Sequence, residues 1–205
     1  MESKLTSKEK SKKIGYEILD LLAGAAFPFM LMLILSATVI GYISYGGQED
    51  IALKAVILVV GEVMLAAATF IFGKQNGASA YKKTVQNAGK RDAGSNELNV
   101  KFFTGEYALY KGIIIPLIAC LPFIIVNLIY AVYPDKTCEF MLSYMFGWAY
   151  YPFALPKLSP YLNYILLIPY VAVHAFAYYY GGKTEKKKQE IIANQNEETA
   201  KRRKK

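Results

Sequence analysis

Residues 21–45 read LLAGAAFPFMLMLILSATVIGYISY, 25 positions without a single charge. A helix of that length rises about 37 Å at ~1.5 Å per residue, enough to cross a hydrocarbon core of ~30 Å with some tilt. Three further runs follow. Residues 51–72 are interrupted by Lys54 near one end and Glu62 near the middle; residues 112–133 are uncharged and contain Pro116, Pro122 and Asn127; residues 161–180 contain Pro169 and the single histidine, His174. None shows the period-2 alternation that a membrane β-barrel strand requires. The expected class is all-α: a polytopic membrane protein with four transmembrane helices. Pro28, Pro116, Pro122 and Pro169 are read as kinks, because in lipid neighbouring helices can satisfy the freed carbonyls.

Composition agrees. The 205 residues are 54% hydrophobic and 14% aromatic, which excludes disorder and suits a soluble domain poorly. Two Cys and one His cannot furnish a disulfide framework, a cysteine-rich zinc site or a haem attachment motif. Neither metal nor cofactor is expected.

Segment 140–156 is uncharged and dense in aromatics (Phe140, Tyr144, Phe146, Trp148, Tyr150, Tyr151, Phe153), but it is short for a span and contains Gly147, Pro152 and Pro156. It reads as an extracytoplasmic interfacial or re-entrant segment. Charge supports that reading. Of 24 Lys and Arg, five precede the first span, seven lie between the second and third, and nine follow the fourth, so four crossings put 21 of them on one side. A fifth crossing would separate the tail from the other basic segments. The domain plan is therefore a basic cytoplasmic segment 1–20, a transmembrane domain 21–182 with cytoplasmic loop 74–111 and outer loop 134–160, and a basic cytoplasmic tail 183–205. Tyrosines fall at the span ends, as interfacial rings do: Tyr42, Tyr45, Tyr130, Tyr133, Tyr161 and Tyr164 outside, Tyr107, Tyr110, Tyr178, Tyr179 and Tyr180 inside. The first span is too long for a signal-peptide core of ~7–15 residues and reads as a signal anchor. Lys outnumbers Arg 21 to 3 and no Asn-x-Ser/Thr sequon occurs, so a bacterial plasma membrane is the expected location.

Glu62 is the first candidate for chemistry, since a carboxylate at mid-bilayer costs at least ~2.5 kcal/mol unless protonated, paired or hydrated. His174 lies a few residues of rise from it in depth, and Asn127 lies in the outer half of the third span. Glu62, His174 and Asn127 therefore form the candidate intramembrane polar site. Either Glu62 and His174 make a proton-sensitive pair, or Glu62 is protonated and locks packing. Lys54 can snorkel to the interface beside Glu49 and Asp50. Gly61 with Ala68, and Ala37 with Gly41, are small-residue packing signals.

In the cytoplasmic loop, Gly77, Gly89, Gly94 and Gly105 argue against a long helix. Tyr81, Val85 and Ala88 suggest a short amphipathic one, with Phe102 and Phe103 dipping into the headgroup layer. Lys82, Lys83, Lys90 and Arg91, with Lys186, Lys187, Lys188, Lys201, Arg202, Arg203, Lys204 and Lys205 of the tail, are the candidate contacts for anionic headgroups or a partner. Nucleic acid is not the expected partner, because no stacking platform or recognised motif accompanies these charges. The chain has no G-x-x-x-x-G-K, G-x-G-x-x-G, H-E-x-x-H or G-x-S-x-G. The reading is a non-catalytic accessory, assembly or anchoring subunit that acts through helix association, with a membrane-protein partner or a second copy of itself. The alternative is a small oligomeric transporter or channel using Glu62 and His174.

Overall fold

The computed structural model describes residues 7–45, 51–95, 97–102, 104–154 and 158–203. These are all-helical, with no strand among them: α1 (Ser7–Tyr45), α2 (Ile51–Asp92), α3 (Leu98–Lys101), α4 (Lys111–Val132), α5 (Lys136–Ala154), a 3-10 segment (Pro160–Leu166) and α6 (Leu167–Arg203). Four of the helical stretches are long and apolar enough to cross a membrane. In the most apolar window of α1 only 17% of residues are buried by the rest of the protein, and in none of the four does the figure exceed 39%. Ile34, Val63, Ile125 and Ile168 are among the large apolar side chains left on the outside. Water would penalise such a surface by ~25 cal/mol per Å², whereas lipid tails do not.

Contacts fix the direction of each helix. Asp20 meets Lys111 and Gly24 meets Ile115, so α1 and α4 run parallel. Gly73 meets Ala177 and Gly77 meets Tyr178, so α2 and α6 also run parallel. Phe27 against Phe72 and Val39 against Gly61 make α1 and α2 antiparallel. The described residues of 7–20, 74–111 and 178–203 consequently gather at one end, where Lys101 reaches Glu9 and Tyr107 packs on Gly182. This is the basic end of the bundle.

Two expectations need correction. The glycines of 74–92 do not break the helix: α2 continues unbroken to Asp92. Intrinsic propensity against Gly is ~1 kcal/mol per residue, and at Gly73 and Gly77 close packing on α6 overrides it. The helix stops instead at Gly94, whose φ of 76° suits a residue without a Cβ; the Ser95 and Gly94 amides donate back to the Lys90 and Arg91 carbonyls. Phe102 does not face headgroups but is buried in protein. Phe103 lies outside the described residues.

The aromatic segment is a helix that doubles back. Phe146 leaves helical geometry (φ −136°, ψ 32°). The Tyr150 hydroxyl then donates to Glu139 at 3.2 Å, although eleven residues of straight helix would separate them by about 16 Å along the axis. At the turn, Phe146 packs on Phe29 and Phe123, and Trp148 on Phe123 and Tyr170, forming the aromatic core. Asp135 caps the first arm by accepting the Thr137 amide at 2.9 Å. Pro28, Pro116 and Pro122 lie inside α1 and α4, while Pro169 falls in the first turn of α6, where no intrahelical N–H partner is needed.

Candidate functional site at the basic end

Small residues recur four apart on α2 (Gly73, Gly77) and on α6 (Ala177, Gly181), and the two stripes face each other. A Cβ built on Gly77 would lie 2.0 Å from the Tyr178 carbonyl oxygen, and one on Gly181 would lie 2.0 Å from that of Lys74. The obstacle is backbone, so no rotamer change could relieve it. The helices touch main chain to main chain, the close approach that small residues permit between membrane helices. Gly182 extends the contact, with Tyr107 lying across it and stacked on Tyr178 at 5.2 Å between centroids.

The helix ends around this seam are tied by charge. Arg91 donates to Glu106 at 2.5 Å and to the Val100 carbonyl at 3.3 Å, and Asn87 donates to the same carboxylate. Lys111, fully buried, donates to Asp20 at 2.7 Å. Removing one partner of such a pair leaves an uncompensated charge, at a cost on the order of 3–5 kcal/mol. Tyr110 donates to Glu17; burial first, then this hydrogen bond, pushes its phenol up to about 12. Burial and the neighbouring Tyr179 also raise the Tyr107 phenol. The result is a stiff base from which α6 continues to Arg203, exposed along nearly its whole length beyond Glu185.

Glu62 and His174, expected as a pair, are not brought together. His174 is wholly buried. A carbonyl can only accept, so the 2.9 Å contact between its Nδ1 and the Gly112 oxygen requires an Nδ1–H that donates. Its Nε2 has no hydrogen-bond partner. The ring lies against Gly73, eleven residues beyond Glu62 and so about 16 Å further along α2. Glu62 sits beside the Gly61–Val39 contact with α1, and its Oε1 is buried without a hydrogen-bond partner. Asn127 is elsewhere again, bonded to Asn163 and to the Pro160 carbonyl.

Of the expected basic contacts, Lys82, Lys83, Lys186, Lys187, Lys188, Lys201 and Arg202 are exposed. Lys90 pairs with Glu97 at 2.8 Å. Arg91 is not a surface contact, because the nearly buried Glu106 carboxylate draws it inward. Arg203 ends α6, its side chain outside the description, and Lys204 and Lys205 lie outside the described residues. Gly73, Gly77, Asn163 and Glu106 were not anticipated. The two glycines carried a readable signal, their spacing of four against Ala177 and Gly181.

No protein-family model matches the chain, and no match is found among curated proteins or solved structures.

Proposed function

We propose that this chain is a multi-pass plasma-membrane protein, bacterial and with both termini cytoplasmic, that performs no catalysis and serves as an accessory, assembly or anchoring subunit. The observation that carries the reading is the α2–α6 pair. Clamped backbone to backbone at Gly77 and Gly181, it holds out a basic helix that continues from Gly182 to Arg203, about 31 Å at ~1.5 Å per residue. A rigid cationic arm at a membrane face suits anionic headgroups or an acidic protein surface. The positive-inside rule assigns that face to the cytoplasm. The doubled-back α5 then enters the bilayer from the outer side as a re-entrant hairpin, its turn at Phe146 seated against Phe29 and Phe123 in the interior of the bundle. The transporter reading draws no support from Glu62 and His174, which lie at different depths.

Reconstitution tests this. The full chain should bind phosphatidylglycerol vesicles more tightly than phosphatidylcholine vesicles, and deletion of 183–205 should reduce that difference at least about threefold, with proton flux no greater than in protein-free vesicles. An unchanged affinity in the truncated chain, or flux abolished by Glu62→Gln, would overturn the proposal.

A further inference from the structure

At the end of the bundle opposite the basic arm, the arms of α5 frame two adjoining recesses that share Glu139, Tyr150 and Ala154. One lies against α4 and the 3-10 segment. It has a volume of about 420 Å³ and is bordered by Tyr130, Glu139, Tyr150, Pro160 and Asn163. Its chemistry follows from one fixed amide. The Pro160 carbonyl can only accept, so the atom of Asn127 that meets it at 3.1 Å is the Nδ2 donor. The Asn127 oxygen must then face Asn163, which answers with its own Nδ2 at 2.8 Å. Asn163 is 1% exposed, and its Oδ1 is left buried with no hydrogen-bond partner among the described residues. A buried acceptor in that state is costly unless something donates to it.

The rest of the recess asks for the same kind of guest. Among the described residues Glu139 receives one side-chain hydrogen bond, from Tyr150, which leaves most of its acceptor capacity open, and it makes no ion pair. Lys136 and Glu139 both line the neighbouring recess, with no ion pair between them among those of the described residues. Tyr130 and Tyr150 add two aromatic rings, 6.1 Å apart between centroids and nearly perpendicular; ring faces attract cations. A carboxylate, an orphaned amide oxygen and two phenol rings together select for positive charge and N–H donors, and against anions.

We propose that this recess binds a primary ammonium group carried on a small polar stem, as in ethanolamine, either free or as the headgroup of an aminophospholipid. The ammonium donates to Glu139 and to Asn163 Oδ1 beside the two tyrosines, which border the recess. The site is independent of the basic arm.

The test uses the full chain in phosphatidylglycerol nanodiscs titrated calorimetrically with ethanolamine, choline and ethylene glycol. Ethanolamine should bind at least tenfold more tightly than choline, which has no N–H, and than ethylene glycol, which has no charge. Glu139→Gln, which keeps an acceptor for Tyr150 and removes the charge, should weaken ethanolamine binding tenfold or more. Tyr130→Leu should weaken it severalfold. Unshifted emission from Trp148, the only tryptophan and part of the adjoining core, reports that a variant has folded. Discs of phosphatidylethanolamine separate the two sources: suppressed titration identifies the lipid headgroup, and unchanged titration identifies the free amine. Absence of ethanolamine binding in phosphatidylglycerol discs, equal affinity for ethylene glycol, or folded Glu139→Gln and Tyr130→Leu variants of unchanged affinity would overturn the assignment.

Discussion

Helix α2 meets two neighbours in different ways. Towards α6, Gly77 faces main chain, and the space available to a Cβ ends 2.0 Å away at the Tyr178 carbonyl oxygen. Towards α1, Gly61 faces only a methyl of Val39, 2.9 Å from where a Cβ would stand, and Gly41 on α1 has nothing within 4 Å. One seam is set by backbone and cannot adjust, while the other is set by a side chain, which can give by a few tenths of an ångström. The difference teaches that a glycine in a membrane helix is informative by what stands opposite it. It also explains why the basic arm is anchored through α6.

That contrast can be broken by substitution. Gly77→Ala should have the largest effect, forcing α2 and α6 apart at a cost of about 3 kcal/mol or more, the upper part of the range for overpacking. Thermal unfolding in detergent would show it, and a melting curve like the parent's would mean the helices are not in backbone contact. Lys111→Met should follow, destabilising by about 2–3 kcal/mol because the partly buried Asp20 loses the cation paired with it; Asp20→Asn in the same chain should recover part of the loss. Gly61→Ala should cost less, about 1–2 kcal/mol, since only the Val39 side chain and not a carbonyl must give way. Gly41→Ala should be neutral or stabilising by up to about 1 kcal/mol from helix propensity alone. Equal effects at 77 and 41 would dissolve the distinction between the seams.

The smallest expected effect is at the far end. Asp135 is held below its ordinary value of 3.8, first by its hydrogen bonds with Thr137. A carboxyl whose pKa is depressed on folding contributes stability in full above its unfolded value, and loses it as pH falls through the lower folded value. Acid should therefore loosen the start of α5, and Asp135→Asn should remove that dependence. Amide hydrogen exchange at Thr137, followed from neutral pH to below pH 3.8, would register it. An identical pH response in both chains would discount the cap.

What the sequence disclosed follows the same physics. Charge-free runs such as 21–45 announce themselves because lipid tolerates no scattered charge, so the four long apolar helices were legible. The course of 74–92 was not: Gly77 reads as a breaker until its partner Tyr178, a hundred residues away, is known. Gly147 and Pro152 hinted that 140–156 would not run straight, but the turn at Phe146 depends on Phe29 and Phe123, which periodicity cannot supply. Asn127 stood out within an apolar run. Asn163 did not, because the start of 161–180 reads as helix, whereas a 3-10 segment actually turns its amide onto Asn127. Depth along separate helices is poorly constrained by residue counting, which is why Glu62 and His174 looked adjacent.

If the four long apolar helices cross the bilayer, the basic segments share one of its faces and the start of α5 lies at the other. Cys120 is buried and Cys138 is partly exposed near the start of α5, at the end opposite the basic arm. A membrane-impermeant maleimide applied to intact cells should label Cys138 without disrupting the membrane, while a cysteine introduced by Lys188→Cys in a Cys138→Ala background should react only after permeabilisation. Both positions reacting from the same side would contradict the account.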